Sequence, residues 1–342
     1  MERKSTPDLL KGIAVVLMVQ VHLMELFAQQ GLYLSNIGKV SLFLGGPPAA
    51  PIFMAVMGYF LAISAKNTSK MVFRGFKLLL WGLLLNIGLN LHLIFDHFTE
   101  QIQVNPFEYI FGVDILFLAG LSLIAIAFLR PIFKDNFYLW GGMAVVIVLI
   151  TPLFSYIPLD PSWKNYPIAY FGGNFSWSYF PLFPWLAYPI AGYTFSLLEK
   201  PILENILTRK RILSWTALAG LIIIFTISQA ADITHQLELY YHHGIVFFLW
   251  TLLFIGFWSA IFMLVNERFP DNPVFNYFKW TGKNVTRFYV FQWLIIGNLG
   301  TYLYKSQNNW QLLLWFCLII TLTSIFVYSW SKQKEKRKYD IL

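Results

Sequence analysis

Charge is scarce in this chain. Only 12% of its 342 residues are charged, with 25 Lys and Arg against 17 Asp and Glu. A soluble domain carries about twice that share, so there is too little charge to cover a soluble globule. Cysteine is nearly missing as well. Cys317 stands alone in an apolar run, cannot form an internal disulfide and reads as a small core residue that marks no redox compartment. The chain also lacks a Gly-rich phosphate loop, a Gly-x-Ser-x-Gly elbow and any nucleic-acid motif, which removes the usual nucleotide hydrolases, serine hydrolases and nucleic-acid binders. No repeat, low-complexity tract or soluble segment with its own core is visible. Residues 1–342 therefore read as a single integral domain with a basic tail over 332–342.

What the chain has in quantity is apolar surface: 57% hydrophobic and 19% aromatic residues. About ten apolar runs are long enough to span a bilayer, near 8–28, 41–65, 72–95, 107–129, 136–154, 180–199, 212–231, 243–265, 286–304 and 310–331. The fold class expected is all-α and polytopic. With the N-terminus cytoplasmic, the inside segments hold 22 of the 25 basic residues, leaving only Lys39, Lys164 and Lys305 outside. That bias fixes an even number of spans with both termini cytoplasmic, and it makes the net charge of +8 a record of topology. The first run, with Arg3 and Lys4 ahead of it, has some look of a secretory signal. No small-x-small cleavage site follows, and a buried histidine is foreign to such a segment.

That histidine, His22, is the sharpest feature. It lies about 16 Å beyond Lys11 along span 1, in the outer half of the bilayer, and an ionisable group there is expensive unless it works. All six histidines fall on the outer side: His22, His92, His97, His235, His242 and His243. Glu25 shares the face of His22 three residues on, and Asp114 is expected about 10 Å into span 4 from the same side. A histidine backed by a carboxylate can take a proton from a hydroxyl or an amine near neutral pH. The alternative for both groups is an ordinary interhelical hydrogen bond. Metal binding fits poorly, because His92-x4-His97 with Asp96, and His242-His243, lack compact zinc spacing. The outer connection 155–179 is rich in Pro158, Pro161, Trp163, Gly172, Gly173 and Trp177. Its aromatics suit an interfacial belt, and Trp163, Tyr166, Asn174, Trp177 and Tyr179 together could also stack on a sugar. Three prolines, Pro181, Pro184 and Pro189, should bend the next helix around Trp185.

These residues resemble a family. Asp8-Leu-Leu-Lys11-Gly-(apolar)-His22 is similar to the opening Asp-x-x-Arg-Gly-(apolar)-His of the transmembrane acyltransferases, which include the heparan-alpha-glucosaminide N-acetyltransferase-like and acyltransferase-3 proteins. Ala50-Pro-Ile-Phe-Met-Ala-Val-Met-Gly58-Tyr59-Phe60-Leu61 looks like their Phe-rich second span, and Arg74-Gly-Phe-Lys77 like the basic start of the third. Tyr179-Phe-Pro-Leu-Phe-Pro-Trp-Leu186, with Gly192, resembles the Phe-Pro-Leu-Leu-Pro-Trp-Leu segment of the heparan branch. Gly282-Lys283-Asn284-Val-Thr-Arg-Phe-Tyr289-Val-Phe-Gln292-Trp293 is similar to a shared Gly-(Lys/Arg)-Asn-Ser-x-x-x-Tyr-x-x-His-Trp pattern. Lys11 stands where Arg is usual, losing a bidentate fork, and Gln292 stands where a late His is common.

The resemblance implies acetyl transfer across a membrane. Acetyl-CoA would donate from the cytoplasmic side, without a metal, to a sugar or glycan hydroxyl or amine on the other. Its phosphates would meet inside cations, chiefly Lys11, Arg74, Lys77, Lys283 and Arg287. His22, with Asp114 and Glu25, would be the catalytic set, as base or transient acyl carrier. His92, His97, Trp163, Trp177 and Trp185 are the expected acceptor contacts, and the expected location is a bacterial plasma membrane. The rival classes are a proton-coupled transporter or flippase using His22, Asp114 and Glu25, which should show related halves, and a non-catalytic receptor. Acceptor, acyl length and homo-oligomer formation are left open.

Overall fold

A computed structural model describes residues 5–155, 162–199 and 208–339, with side chains described through residue 333. Pro158 and Pro161 lie outside the described residues. The protein is an all-α polytopic membrane protein. Among the described residues, eight helices are long and apolar enough to cross a bilayer: Thr6–Leu26, Asn36–Ala62, Thr68–Leu89, Ile115–Phe133, Phe137–Ser155, Arg209–His235, Ile245–Arg268 and Asn309–Gln333. The other two expected spans are helical too. Span 6 is broken into Leu182–Trp185 and Ala187–Leu198, and span 9 runs from Val285 to Leu303 between spans 1, 3 and 10.

Hydrophobic residues lie on the outside as well as the inside, as a bilayer allows. Phe73, Phe76, Leu80 and Leu84 of span 3 and Ile224 and Phe225 of span 7 are exposed, while Leu9, Ala14, Val15, Val19 and Leu23 of span 1 are buried. Apolar attraction between helices is weak in lipid, so close packing must hold them together. Three glycine pairs do this. Gly12 and Gly282 bring span 1 against the helix Pro273–Lys283, Gly58 and Gly192 bring span 2 against span 6, and Gly75 and Gly120 bring span 3 against span 4. A Cβ at Gly58 would sit 1.8 Å from the Pro189 carbonyl oxygen, and one at Gly192 1.8 Å from that of Ala55. The recurring glycines of the sequence motifs are thus backbone crossings.

Contacts between connections order the bundle ends independently of charge. At one end Arg130 donates to the carbonyls of Ser64 and Lys66, Asn266 to Ser5, and Tyr59 to Glu199. At the other, Tyr33 stacks on His235, Asn105 bonds Tyr166, the Val113 amide bonds the Trp177 carbonyl, and Asn174 bonds Glu238. Basic residues gather at the first end and the connection 162–181 at the second.

Irregular backbone sits where protein covers it, as the membrane interior requires. Span 2 breaks at Gly46-Pro47-Pro48-Ala49, all buried, because two prolines remove two amide donors. Span 4 begins later than its apolar run. A short helix, Pro106–Ile110, precedes a break, and Asn86 of span 3 donates to the Ile110 and Gly112 carbonyls at 3.1 and 2.8 Å.

Candidate functional site

The break before span 4 builds the first part of the site. Asp114 is the N-cap of Ile115–Phe133, its Oδ1 accepting from the Ile115 amide at 2.6 Å. It therefore stands at the helix start and not deep within it. The connection after span 5 fixes this corner through Val113 N–H to Trp177 O at 2.7 Å and Phe180 N–H to Val113 O at 3.0 Å. With Oδ1 held by the cap, Oδ2 faces the bundle and accepts from the Tyr289 hydroxyl at 2.5 Å.

Tyr289 leads to His22. One turn along span 9, Trp293 lies with its ring centroid 3.9 Å from that of His22, the planes inclined by 33°. Spacing of i, i+4 puts Tyr289 and Trp293 on one helix face, so span 9 links the Asp114 corner to the histidine. No direct hydrogen bond joins His22 to Asp114 or to Glu25. Among the described residues His22 Nδ1 is buried without a partner, as are Trp293 Nε1 and both amide atoms of Gln292. Polar atoms left open in a membrane core are costly, and those of His22 and Trp293 belong to two rings in direct contact.

Glu25 sits a turn nearer the outer end, half-buried, within electrostatic reach of Lys305. Burial lowers the Lys305 pKa and Glu25 opposes that shift. The Lys305 ammonium lies 4.0 Å from the Tyr33 ring centre, a cation–π contact. The segments holding these groups are clasped together: Lys305 N–H bonds Leu26 O at 2.9 Å, Gln307 N–H bonds Phe27 O at 2.8 Å, and Gln29 N–H bonds Gln307 O at 2.9 Å.

The expected acceptor contacts separate. Trp185 is fully buried, its indole N–H donating to the Tyr241 carbonyl at 2.8 Å, so it is part of the core. Trp163 is exposed. Trp177 stacks with Tyr166 and Phe175, at 5.6 and 4.9 Å between ring centres, forming an aromatic floor at the outer end. His92 stacks on Tyr302 and faces Asp96 across 3.6 Å. His97 lines an open depression of about 660 Å³ with Glu100, Gln103 and Asn105. Among the described residues no three His, Cys, Asp or Glu side chains gather as metal ligands.

The expected donor cations also separate. Lys11 is ion-paired with Asp8 at 2.9 Å and lies over Phe60. Gly282 packs on the Asp8 carbonyl, which brings the exposed Lys283 to the end of span 1 that holds this ion pair. Arg287 donates to Asn284 and Ser331 at 3.1 and 3.0 Å, holding the turn between Pro273–Lys283 and span 9. Arg74 and Lys77 lie on the exposed face of span 3 beside Phe73 and Phe76.

A family model for an acyltransferase domain, that of the acyltransferase-3 proteins, matches residues 5–330. The chain belongs to this acyltransferase family. No curated protein matches it. In this membrane acyltransferase the motif histidine, the late Tyr-x-x-x-Trp and the span-4 aspartate, far apart in sequence, form one connected group. Trp293 and Tyr289 were not among the expected catalytic residues, although their spacing on one helix face was readable.

Proposed function

We propose that this acyltransferase moves an acetyl group from acetyl-CoA, entering at the basic end of the bundle, to a hydroxyl or amine of a sugar or glycan arriving at the opposite end, in a bacterial plasma membrane. The observation that carries the reading is the open His22 imidazole, held by Trp293 in the outer half of span 1.

In this reading His22 takes the acceptor's proton as its oxygen or nitrogen attacks the thioester carbonyl. The C–S bond breaks, and the proton passes to the departing thiolate. Alternatively the imidazole attacks the thioester first, the C–S bond breaks, the departing thiolate takes up the ring proton, and the acyl group then passes from the imidazole to the acceptor. Asp114 acts through Tyr289 and span 9, and Glu25 with Lys305 offers the outer mouth a paired charge for a polar acceptor. Lys11 and Lys283 suit the donor's phosphates, a role that the positions of Arg74 and Lys77 favour less. The aromatic floor of Tyr166, Phe175 and Trp177 suits stacking on a sugar ring.

The test is acetyl-CoA binding by calorimetry and thiol release by detergent-purified protein, wild type beside His22→Ala. The expected result is micromolar binding by both proteins and slow hydrolysis by the wild type alone. Absence of binding to the wild type rejects the donor, and equal thiol release by the variant rejects the role of His22.

A further inference from the structure

Among the described residues, Gln292 stands out because both polar atoms of its side chain are buried and open. It has no exposed surface, and neither its Nε2 nor its Oε1 has a hydrogen-bond partner among the described residues. A buried amide with both atoms open is destabilising, and such a group calls for a partner that comes and goes or for a bound water. It neighbours Trp293, the residue against His22. Spans 1 and 9 run parallel, since Trp293 meets His22 and Gly300 approaches Leu26 and Phe27. Gln292 therefore stands slightly towards the basic end from the His22 contact, on the side from which the donor would come.

We propose that Gln292 recognises the amides of the donor's pantetheine arm, its Oε1 accepting an N–H and its Nε2 donating to a C=O. This rests on the reading of the donor as a coenzyme A thioester. The chemistry discriminates among partners. A thioester carbonyl offers only an acceptor and would leave Oε1 open, whereas an arm with two successive amides offers both a donor and an acceptor. Because a trans amide points its N–H and C=O in opposite directions, the two Gln292 atoms engage different amides of the arm. A glutamine at this position also keeps both functions at any pH, since it does not titrate.

The experiment uses the full-length protein in detergent with Gln292→Leu and, as a second variant of similar volume, Gln292→Met. Calorimetry reads the affinity for coenzyme A and for adenosine 3′,5′-bisphosphate, which lacks the arm. Thermal unfolding is recorded without ligand. Loss of two hydrogen bonds should weaken coenzyme A binding about tenfold or more and leave the bisphosphate unchanged. The unliganded variants should melt at or above the wild-type temperature, because an apolar side chain removes the unpaired amide. Coenzyme A affinity within about twofold of wild type in both variants would overturn the proposal and leave water as the partner. A marked fall in melting temperature in both would overturn it too, by revealing an internal partner. If the wild type binds no coenzyme A, the donor assignment itself falls, and this proposal with it.

Discussion

Replacing Gly282 by alanine tests the packing that sets Lys283 near the Asp8–Lys11 pair. The new Cβ would lie 1.8 Å from the Asp8 carbonyl oxygen and 2.9 Å from the Gly12 nitrogen. An ordinary contact is about 3.4 Å or more, so the two backbones must part by about 1.5 Å, and neither is a flexible side chain that can swing aside. Overpacking of this kind costs about 1–3 kcal/mol, and backbone contacts belong at the upper end. Alanine's better helix propensity returns about 1 kcal/mol at most. For a chain of 342 residues, a net loss near 2 kcal/mol corresponds to a fall of about 3 °C in Tm. Gly142→Ala is the control, because Gly142 lies inside span 5 with nothing within 4 Å of its added Cβ. It should hold or raise the Tm. Since Asp8 pairs with Lys11, Gly282→Ala should also weaken donor binding. Thermal unfolding of the purified proteins decides it: equal Tm values for wild type and Gly282→Ala, or equal losses in both variants, would refute the argument.

Removing the Tyr289 hydroxyl with Tyr289→Phe takes away the partner of Asp114 Oδ2. A hydrogen bond to a carboxylate is worth about 1.5–3 kcal/mol, so turnover should fall by about tenfold or more with donor affinity preserved; kcat and Kd measured side by side would show otherwise. Neutralising Arg74 and Lys77 together, as glutamines, should leave coenzyme A affinity within about twofold, because both lie among exposed apolar side chains of span 3. Calorimetry reading a tenfold loss would return them to the donor site.

Much of the fold could be read from the chain because the bilayer imposes simple rules. Long apolar runs gave the spans, and one isolated histidine stood out among them. The breaks were harder. Asp114 ahead of Ile115-Leu-Phe-Leu is an N-cap signal, but an apolar run extending back to Phe107 hid it. The place of Trp185 was not legible either, because an indole can find a backbone carbonyl inside the core. The link from His22 through Trp293 and Tyr289 to Asp114 depends on how spans 1, 4 and 9 pack. Hydropathy says nothing of that, although Tyr289 and Trp293 were already adjacent by helical period.

The clasp between residues 26–29 and 304–307, together with the Trp293 contact, bears on biogenesis. His22 is made early and its stacking partner some 270 residues later, so at about 5–20 residues per second roughly a quarter of a minute to a minute separates them. During that time the first span must wait in the membrane with its histidine uncovered by span 9. The order of synthesis therefore makes the closing of this clasp one of the last events in assembly, and keeps the site unfinished until the late helices have been inserted.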